Sequence, residues 1–530
     1  MAEKSFAVMP SVSIARSKFD RISSHKTAIK LGDIVPLYVD EVLPGDTRSI
    51  DYGSLIRMAT PIAPIMDDIY FELFAFFVPN RLTWDHWKEF CGESDRAGYS
   101  PTEYIIPTTT VYGSIVDSPY SIGNYMGISC AHGDVDSFEV SELPLRAYGL
   151  IINRWFRNQN VEAPLYIDTG DDVENSDLSY SGYCLKASKK ADYFTKALPY
   201  AQKGTPVMLP LGNTAPIIAA EKTHGTNYPI KFGVSSANGS LHLQNGNLSY
   251  DVNDVTSSGL VPSHNTNLVA DLSNATASTI NQLREAYALQ LALEKDANYG
   301  TRYWEVLFGH FGVVSPDATL QDPEFLGHAK ININIEQVLQ TTGYQADSSS
   351  ALGSIGANSV SGDKGSLFTK SFVEHGYIMI LGVARHRESY GQGINKMFTR
   401  KRRFDFYWPV FAHLGAQPVY NKELYVQGTA ADNEIFGYQE AWAEYRYKPN
   451  LATSIMNPAS FNSLDFWTLT SKFDELPTLS TSFTKANRNS LSRALTTGSE
   501  GPDFICDFVF KDTAVRPMPL YSIPGLLGEM

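Results

Sequence analysis

The sequence predicts a mainly β protein with an antiparallel core that is interrupted by large insertions containing a few helices. Segments rich in β-forming residues recur over the whole chain of 530 residues, whereas helical periodicity is confined to stretches between them. Regular alternation of strands and helices is missing, which argues against a doubly wound or (β/α)8 barrel architecture. Aromatic residues make up 12% of the chain, and such residues are enriched in strands.

Composition excludes two classes of protein. Apolar residues make up 43% of the chain and charged residues 19%, against a typical charged share of about 25%, so the chain is not intrinsically disordered. The formal net charge is −14, and so acidic a protein cannot wrap nucleic acid with its whole surface, because phosphate contacts need Lys and Arg. Any contact with DNA is therefore expected to be local.

The first thirty residues are expected to form a basic arm with little periodicity. Two acidic residues, Glu3 and Asp20, stand against six cations, which is a local reversal of sign in an acidic chain. The six are Lys4, Arg16, Lys18, Arg21, Lys26 and Lys30. Such a segment is either a solvated terminus or an arm that meets phosphates, and the sequence leaves both open.

Two strands and a short helix are predicted next. Ile34–Leu43 is rich in β-formers and ends at the turn signal Pro44-Gly45-Asp46. Ile69–Val78 is almost wholly aromatic or aliphatic, which predicts a strand buried on both faces. A short helix is predicted over Leu82–Phe90, where Trp and Phe recur at a spacing of three.

Two longer amphipathic helices are predicted, each of which must pack on a larger body. One begins near Pro144, a residue that the first helical turn tolerates. The other begins at Thr279, with Gln282 in capping-box register. In both segments apolar residues recur every three or four positions.

Between these helices lies a break in composition. Phe232–Ala270 contains no Lys or Arg, and its Asn-Gly pairs at Asn238-Gly239 and Asn245-Gly246 predict small hairpins on an excursion from the core. A second loop, rich in Ser and Gly, is predicted over Ser348–Gly365.

The C-terminal half returns to strands. Phe372–Val383, Arg403–Ala412 and Glu434–Lys448 are predicted as strands because aromatic and β-branched residues dominate them. In the last, alternation would place Trp442 and Arg446 on the same face as Phe436.

No catalytic, cofactor or metal site is predicted. The chain lacks the P-loop, HExxH, GxSxG and dinucleotide motifs, and its four cysteines include no CxxC pair. Glu440 and Glu444 resemble a glycosidase pair only superficially, because spacing along one strand fixes neither their separation nor a cleft. The acidic loop Asp168–Glu174 departs from the EF-hand pattern, which favours a solvated loop over a calcium site.

The main basic feature outside the arm is the run Arg400-Lys401-Arg402-Arg403, preceded by Arg385-His386-Arg387. Aromatic residues interleave with the run, a combination that can track phosphates and stack unpaired bases. A solvated strand edge whose charges block unwanted pairing explains the run equally well.

Long strings of this sequence resemble the major capsid proteins of the Microviridae, small bacteriophages with single-stranded DNA, and the likeness is strongest to the gokushovirus branch. They run in the family's order from FDR at Phe19–Arg21 to RPMPLYSIPGL at Arg516–Leu526. Among them are VDEVLPGDT (Val39–Thr47), FFVPNRLTWDHWKEF (Phe76–Phe90), LPLRAYGLIINRWFRNQN (Leu143–Asn160), HFGVVSPDATLQDPEFLG (His310–Gly327) and FGYQEAWAEYRYKPN (Phe436–Asn450).

The resemblance implies an eight-stranded antiparallel jelly roll with large insertions, assembled into a T=1 icosahedral shell around circular single-stranded DNA. Its parts would be a basic arm (1–30), a first part of the jelly roll (31–203), an insertion forming a protrusion at the three-fold axes (204–274) and the remainder (275–530). Candidate host-contact residues in the insertion are Asn238, His242, Asn245, Asn247 and Tyr250. Candidate DNA-facing residues are Arg16, Lys18, Arg21, Lys26, Arg400, Lys401, Arg402 and Arg403.

The partners that the resemblance implies are copies of the chain, the packaged single-stranded DNA, a small basic DNA-binding protein, internal scaffolding and pilot proteins, and a receptor on the bacterial host. The chain is expected in the virion after assembly in the host cytoplasm, without membrane insertion, since no run approaches 18 apolar residues. Two other classes stay open: a minor receptor-binding spike protein and, more remotely, a β-rich carbohydrate-active enzyme.

Overall fold

The computed structural model describes residues 15–93, 103–131, 133, 135–173, 176–205, 207, 280–339, 355–498 and 501–521, together with the backbone of six short strands between 217 and 270. The chain divides into two compact units, one formed by residues 1–201 and 296–530 and the other by residues 202–295. The larger unit contains the main sheets and is mainly β and antiparallel, as predicted.

Eight strands of the larger unit form two four-stranded sheets. The strands are β1 (Ser17–Ile29), β2 (Val35–Val42), β3 (Thr47–Met58), β4 (Ile69–Pro79), β5 (Glu324–Asn332), β6 (Val360–Ser371), β7 (Gly376–His386) and β8 (Phe504–Arg516). One sheet has the order β1-β8-β3-β6 and the other the order β5-β4-β7-β2. All neighbouring strands in the two sheets are antiparallel. The first and last strands of the set, β1 and β8, pair along their full length.

The two sheets share one hydrophobic core. Strand β8 shows the period of two that a half-buried strand requires, with Phe504, Phe508 and Phe510 buried and Ile505 exposed. Across the core, the ring of Phe508 lies 5.2 Å from that of Phe71 on β4.

Strand β4 is buried on both faces, which confirms the prediction for Ile69–Val78. Phe71 faces the shared core, whereas Phe76 points the other way and its ring lies 5.7 Å from Trp155. Trp155 belongs to a π-helical turn, Ile152–Phe156, that continues the helix Leu143–Ile151. The helix predicted near Pro144 therefore forms and is followed by the turn that covers this sheet.

The other elements of the larger unit are short. Its further helices are Asn80–Thr83, Trp87–Phe90, Ile122–Tyr125, Tyr303–Phe311, Asp317–Leu320, Asn421–Leu424, Ala443–Arg446, Thr481–Thr484 and Asn489–Ser492. Its 3-10 turns are Gly113–Asp117, Lys396–Thr399, Arg403–Asp405, Pro409–Phe411, Ala430–Asn433, Ser454–Met456 and Asp465–Trp467. Its small sheets pair Thr108–Val111 with Phe138–Ser141, Glu336–Leu339 with Ile355–Asn358, Ser389–Tyr390 with Asn450–Leu451, and Ala416–Tyr420 with Ile435–Glu440.

The smaller unit also contains antiparallel sheets. Its strands are Ile217–Ala219, Ile230–Val234, Ala237–Gln244, Asn247–Asp251, Val261–Pro262 and Leu268–Ala270. The helix Ile280–Tyr299, predicted from Thr279, begins in this unit. The small hairpins predicted here form, because Ala237–Gln244 pairs antiparallel with both Ile230–Val234 and Asn247–Asp251. The predicted turn at Asn238-Gly239 is wrong, because both residues lie inside the strand Ala237–Gln244. Asn245-Gly246 lies outside the described residues.

The N-terminal segment differs from the irregular arm expected for it, since residues 17–29 form strand β1 at a sheet edge. Its main-chain hydrogen bonds to β8 hold it in place whatever its side chains are. Hydrophobic periodicity in the sequence is weak because the inward positions include the polar Arg21 and His25, while Ile22 faces outward and is 69% exposed. Inward and outward positions nevertheless alternate for much of the strand.

Two strands predicted in the C-terminal half are also wrong. Arg403–Ala412 forms 3-10 turns instead, because its aromatic residues lie on the surface and Pro409 has no main-chain N–H to donate. In Glu434–Lys448, only Ile435–Glu440 is a strand. Trp442 then adopts a left-handed conformation (φ 64°), which ends the alternation before a helical turn.

Smaller differences concern element bounds. The helix predicted over Leu82–Phe90 is split into two turns, and the strand predicted from Phe372 begins at Gly376, after the turn that follows β6. The predicted loop Ser348–Gly365 includes a short strand and the start of β6. In that segment, main-chain pairing with neighbouring strands outweighs the weak strand propensity of Ser and Gly.

Candidate functional site: basic clusters and exposed apolar surfaces

A buried ion cluster joins four strands of the core. Arg48 on β3 is fully buried, and its Nε donates to Asp512 Oδ1 on β8 at 2.9 Å. Its Nη2 lies 2.5 Å from Asp40 Oδ2 on β2, and Arg21 on β1 pairs with both carboxylates. Although burial opposes ionisation of Asp40, hydrogen bonds from Arg21 and the charge of Arg48 hold its pKa below the ordinary value.

The cluster accounts for one predicted DNA-facing residue. The guanidinium of Arg21 is half-buried and held by Asp40 and Asp512, so a phosphate would have to compete with two carboxylates for it. Arg516 on β8 extends the network, with Nε 3.0 Å from Asp46 Oδ2. The geometry gives Arg21 a structural role in fastening the edge strand β1.

The other cations of β1 lie along the exposed edge. Lys18 is 3.2 Å from Asp20, and Lys26 is 3.3 Å from Asp507, but the lysine side chains are 60% and 72% exposed. Exposed pairs of this kind contribute little and break readily. These two lysines, together with the exposed Arg16, are therefore accessible to an anionic partner.

The basic run 400–403 separates into one structural and three surface residues. Arg400 Nη2 lies 2.7 Å from Glu444 Oε1, and its guanidinium stacks 4.6 Å over the ring of Tyr445. Lys401, Arg402 and Arg403 are exposed, so their side chains are open to a partner.

An exposed apolar surface surrounds this run and is named here the 397–414 surface. Its most exposed side chain, Val410, is 88% accessible. The large apolar residues that it exposes are Met397, Phe398, Phe404, Phe406, Tyr407, Trp408, Val410 and Leu414. Arg403 stacks 4.8 Å over Trp408, so cations and aromatic rings alternate across the surface. This arrangement suits either stacked bases or a protein neighbour.

A second exposed apolar surface, the 299–314 surface, covers the helix Tyr303–Phe311 and its flanks. None of the nine residues of that helix is buried. The large apolar residues exposed here are Tyr299, Tyr303, Phe308, Phe311, Val313 and Val314. An apolar helix that the described part of the chain leaves unburied is typical of a protein contact.

The carboxylates that superficially resemble a glycosidase pair do not lie on one strand. Glu440 ends the strand Ile435–Glu440 and pairs with Arg446, whereas Glu444 lies in the following helical turn and pairs with Arg400. Each carboxylate therefore takes part in a separate ion pair with its own arginine.

The acidic loop contributes to local packing. Asp171 Oδ1 accepts a hydrogen bond from Trp84 Nε1 at 2.8 Å, which lowers the pKa of Asp171. Within the part of the chain that the structure describes, no group of three or more His, Cys, Asp and Glu side chains is arranged to hold a metal ion. Glu174 lies outside the described residues.

The candidate host-contact residues lie in two paired strands of the smaller unit. Asn238 and His242 belong to Ala237–Gln244, while Asn247 and Tyr250 belong to Asn247–Asp251. The register places Ser249 opposite His242. Asn245 lies outside the described residues.

Sequence reasoning missed the buried ion cluster. Arg48 and Asp512 are 464 residues apart, and each lies in a strand that looks unremarkable alone. One signal was present: Arg48 stands in register with the buried Ile50 and Tyr52, and a charge at an inward position requires a buried partner.

Comparisons with a family model and with known proteins identify relatives of this chain. The model of the "Capsid protein (F protein)" family matches residues 7–526. The chain is 41% identical to the capsid protein VP1 of Bdellovibrio phage phiMH2K, an alignment that covers 99% of this chain and 98% of the relative. It is also 37% identical to the capsid protein VP1 of Chlamydia phage 1 and 36% identical to that of Spiroplasma virus 4, each over 98% of this chain and 97% of the relative.

The relatives are capsid proteins, which are structural components of virions and not enzymes. Among the helices in the described ranges, none combines the length and apolarity that crossing a membrane demands. The family match and the three full-length relatives confirm the resemblance of the sequence to Microviridae major capsid proteins. The chain belongs to the phage capsid protein (F protein) family and is a major capsid protein of Microviridae type.

Proposed function

We propose that this capsid protein is a jelly-roll subunit of a T=1 icosahedral shell around circular single-stranded DNA. The observation that carries the jelly roll is the strand order. Strand β1 pairs with β8, β2 with β7, β3 with β6 and β4 with β5. This nesting is that of one long antiparallel ribbon rolled into two facing sheets, the arrangement of a jelly roll.

Shell assembly is supported by what a single subunit leaves uncovered. The 397–414 and 299–314 surfaces expose aromatic and aliphatic side chains that are 40% to 88% accessible. Monomeric soluble proteins rarely expose large contiguous apolar patches, because burial of apolar surface is favourable. In a closed shell, each subunit covers the same patches on its neighbours.

Expression of the full chain followed by negative-stain electron microscopy and analytical ultracentrifugation tests the shell. Closed particles of one size are expected, either from the chain alone or after addition of the scaffolding and pilot proteins that we propose as partners. Monomers under all of these conditions, including the presence of single-stranded DNA, would contradict the proposal. A minor spike protein would instead be scarce in a gel of purified particles.

We infer that the genome meets two basic groups on the subunit. Lys401, Arg402 and Arg403 are exposed, and their charges suit the phosphates of the genome, while the apolar side chains around them are assigned to the neighbouring subunit. Arg16, Lys18 and Lys26 supply a second group along β1. Arg21 and Arg400 act through the fold instead, since carboxylates already hold them.

The DNA assignment is tested with Gln substitutions at 401, 402 and 403. The triple variant is expected to form particles that package less DNA and that release it at lower salt, because each lost cation removes a counterion-linked phosphate contact. A matched variant with Gln at Arg57, Lys364 and Lys511, all exposed elsewhere, controls for net charge. Equal packaging by both triple variants would refute the assignment. The acidic balance of the chain supports a separate small basic DNA-binding protein as a further partner.

The insertion at 204–274 is proposed as the host-contact segment of the virion, which assembles in the bacterial cytoplasm. Its composition supports this role: the stretch 232–270 carries no Lys or Arg and is rich in Asn and Ser, side chains suited to adaptable hydrogen bonding. Alanine at Asn238, His242, Asn247 and Tyr250 is expected to abolish adsorption while particles still form. Normal adsorption by this variant would exclude these four residues as the receptor contact.

A further inference from the structure

A cavity of about 390 Å³ lies within the larger unit, and none of the basic residues assigned to the genome lines it. Its walls come from the segment that follows the π-helical turn, the stretch 188–198, the segment 297–302 and the ends of β7 and the strand Ile435–Glu440. This volume falls within the range of sites that hold small organic ligands, about 300 to 1,000 Å³.

The lining is strongly cationic in a chain that is acidic overall. Five basic side chains line the cavity, namely Arg157, Lys189, Lys196, Arg302 and Arg385. The acidic side chain that lines it, Glu440, is paired with Arg446. Cations that lie close together repel one another, and this repulsion is unfavourable. A bound anion in the cavity would reduce it.

Three of the five cations have carboxylate partners that are not among the residues lining the cavity. Arg302 Nη1 lies 3.1 Å from Glu305, Arg385 Nη1 lies 3.4 Å from Glu72, and Lys189 Nζ lies 3.6 Å from Glu388.

The remaining two cations have no ion-pair partner in the part of the chain that the structure describes, although the more distant charge of Glu162 acts on Arg157. Within the described ranges, no carboxylate oxygen lies within 4 Å of Arg157 or Lys196. Arg302 donates to the main-chain oxygen of Arg157 at 3.1 Å, so two guanidinium groups lie near each other. Burial lowers the pKa of Arg157, and the charge of Arg302 lowers it further. An anion between them would offset both effects.

The chemistry of the lining selects the anion. Guanidinium forks and a lysine ammonium are the side chains that bind phosphate oxygens most strongly in proteins. Tyr299, at the margin of the 299–314 surface, also lines the cavity and is 48% exposed as a residue, and a tyrosine ring can stack a planar base. We propose that this cavity binds the phosphate group of a nucleotide, either free or within a single DNA strand, with the base on Tyr299.

The proposal is tested by isothermal titration calorimetry on the full chain with thymidine 5′-monophosphate, thymidine, inorganic phosphate and a five-nucleotide oligothymidylate. The monophosphate is expected to bind at least tenfold more tightly than thymidine or inorganic phosphate, because only it engages both the cations and the ring. Tighter binding by the oligonucleotide would identify a strand as the source, and tighter binding by the monophosphate a free nucleotide.

Variants place the binding in the cavity. Lys196→Gln removes an exposed cation and leaves the packing intact, and it is expected to weaken monophosphate binding about tenfold. Arg157→Gln should act in the same direction, while Lys364→Gln, exposed on strand β6, should leave the affinity unchanged. No binding, binding unaffected by Lys196→Gln, or equal binding of thymidine or of inorganic phosphate would each overturn the proposal. None of these results would alter the role in the capsid, because the cavity lies within one subunit.

Discussion

At the scale of single residues, the buried ion cluster shows which charged side chains stabilise the fold. Arg48 is fully buried between Asp40, Asp46 and Asp512, and two of these carboxylates are almost inaccessible to water. A buried ion pair adds little net stability compared with an apolar substitute. Removing one partner, however, leaves the other charge unpaired in a medium of low polarity. A single substitution in the cluster is therefore expected to lower the free energy of unfolding by more than the cluster as a whole contributes to it.

Replacement of Arg48 by alanine is expected to lower the free energy of unfolding by about 3 to 5 kcal/mol, since the buried carboxylates of Asp46 and Asp512 would lose the fully buried cation between them and keep only the more exposed Arg516 and Arg21. Urea unfolding of the full chain, followed by tryptophan fluorescence, measures the loss. Arg57→Ala is the matched control, because Arg57 lies on the exposed side of the same strand and should cost less than about 0.5 kcal/mol. Equal losses in the two variants would show that the cluster is not a stability element.

A second residue-scale prediction concerns Glu142, which is 1% exposed. Burial raises the pKa of its carboxyl from 4.5 to about 7, even though the charge of Arg146 opposes the shift. Between these values the folded chain binds more protons than the unfolded one, so stability contributed by the protonated group falls as the pH rises from 4.5 to about 7.

Glu142→Gln is expected to remove this decline and to stabilise the chain by about 2 to 3 kcal/mol at pH 8 relative to the unsubstituted chain, with no gain near pH 4. Urea unfolding from pH 4 to pH 8 gives the two profiles. Glu139→Gln, an exposed neighbour, should leave the profile unchanged. Parallel profiles for Glu142→Gln and the unsubstituted chain would contradict the assignment of the pH dependence to this carboxyl.

The residue scale is also where sequence reasoning reached least far. Arg21 and Arg400 look like their basic neighbours in the sequence, yet carboxylates hold both. The partners of Arg21 come from β2 and β8, and charge composition carries no information about such distant pairing. Local charge predicted basic segments, but only tertiary structure separates structural arginines from accessible ones.

At the scale of elements, glycine in a central strand shows how closely the sheets pack. A Cβ added to Gly382 on β7 would lie 2.5 Å from Leu37 Cδ1 and 2.7 Å from Phe71 Cζ. Gly382→Ala is therefore expected to cost about 1 to 3 kcal/mol in unfolding free energy, because a packed core resists an extra methyl group.

Gly53→Ala supplies the matched control in another central strand, β3. There the nearest atom to an added Cβ is Val509 Cβ at 4.0 Å, an ordinary van der Waals contact. This variant should be neutral or slightly stabilising, since Ala has less conformational freedom than Gly in the unfolded chain. Thermal unfolding of the two variants separates the outcomes, and a lower midpoint for Gly53→Ala than for Gly382→Ala would refute the packing argument.

Elements whose pattern reports burial were predictable from the sequence. Strand β4 is largely apolar because it is covered on both faces. The amphipathic helix predicted near Pro144 buries its apolar residues, as its periodicity indicates. Prediction failed where aromatic residues lie on the surface of a single subunit, as in Arg403–Ala412. Such residues resemble a strand in composition, whereas their placement depends on contacts with other molecules that a single chain does not contain.

At the scale of the whole molecule, net charge and exposed apolar surface have opposite effects on the association of subunits. The charge of −14 keeps subunits soluble and mutually repulsive at long range, so assembly must depend on short-range apolar contacts. The 397–414 and 299–314 surfaces are suited to such contacts because they combine large rings with modest side-chain entropy. Particle formation should therefore be limited by these surfaces more than by the stability of the subunit.

Val410→Asp tests this directly. Val410 is 88% exposed, so a carboxylate there leaves the fold of the subunit intact, but in an assembled shell it would be buried without a partner. The variant is expected to unfold at the same urea concentration as the unsubstituted chain. Under conditions in which the unsubstituted chain forms particles, the variant is expected to sediment as free subunits. Val373→Asp, 87% exposed in the turn before β7, supplies a control of equal chemistry and accessibility. Normal particles from Val410→Asp would remove the 397–414 surface from the shell contacts, whereas loss of particles in both variants would mean that added negative charge alone prevents assembly.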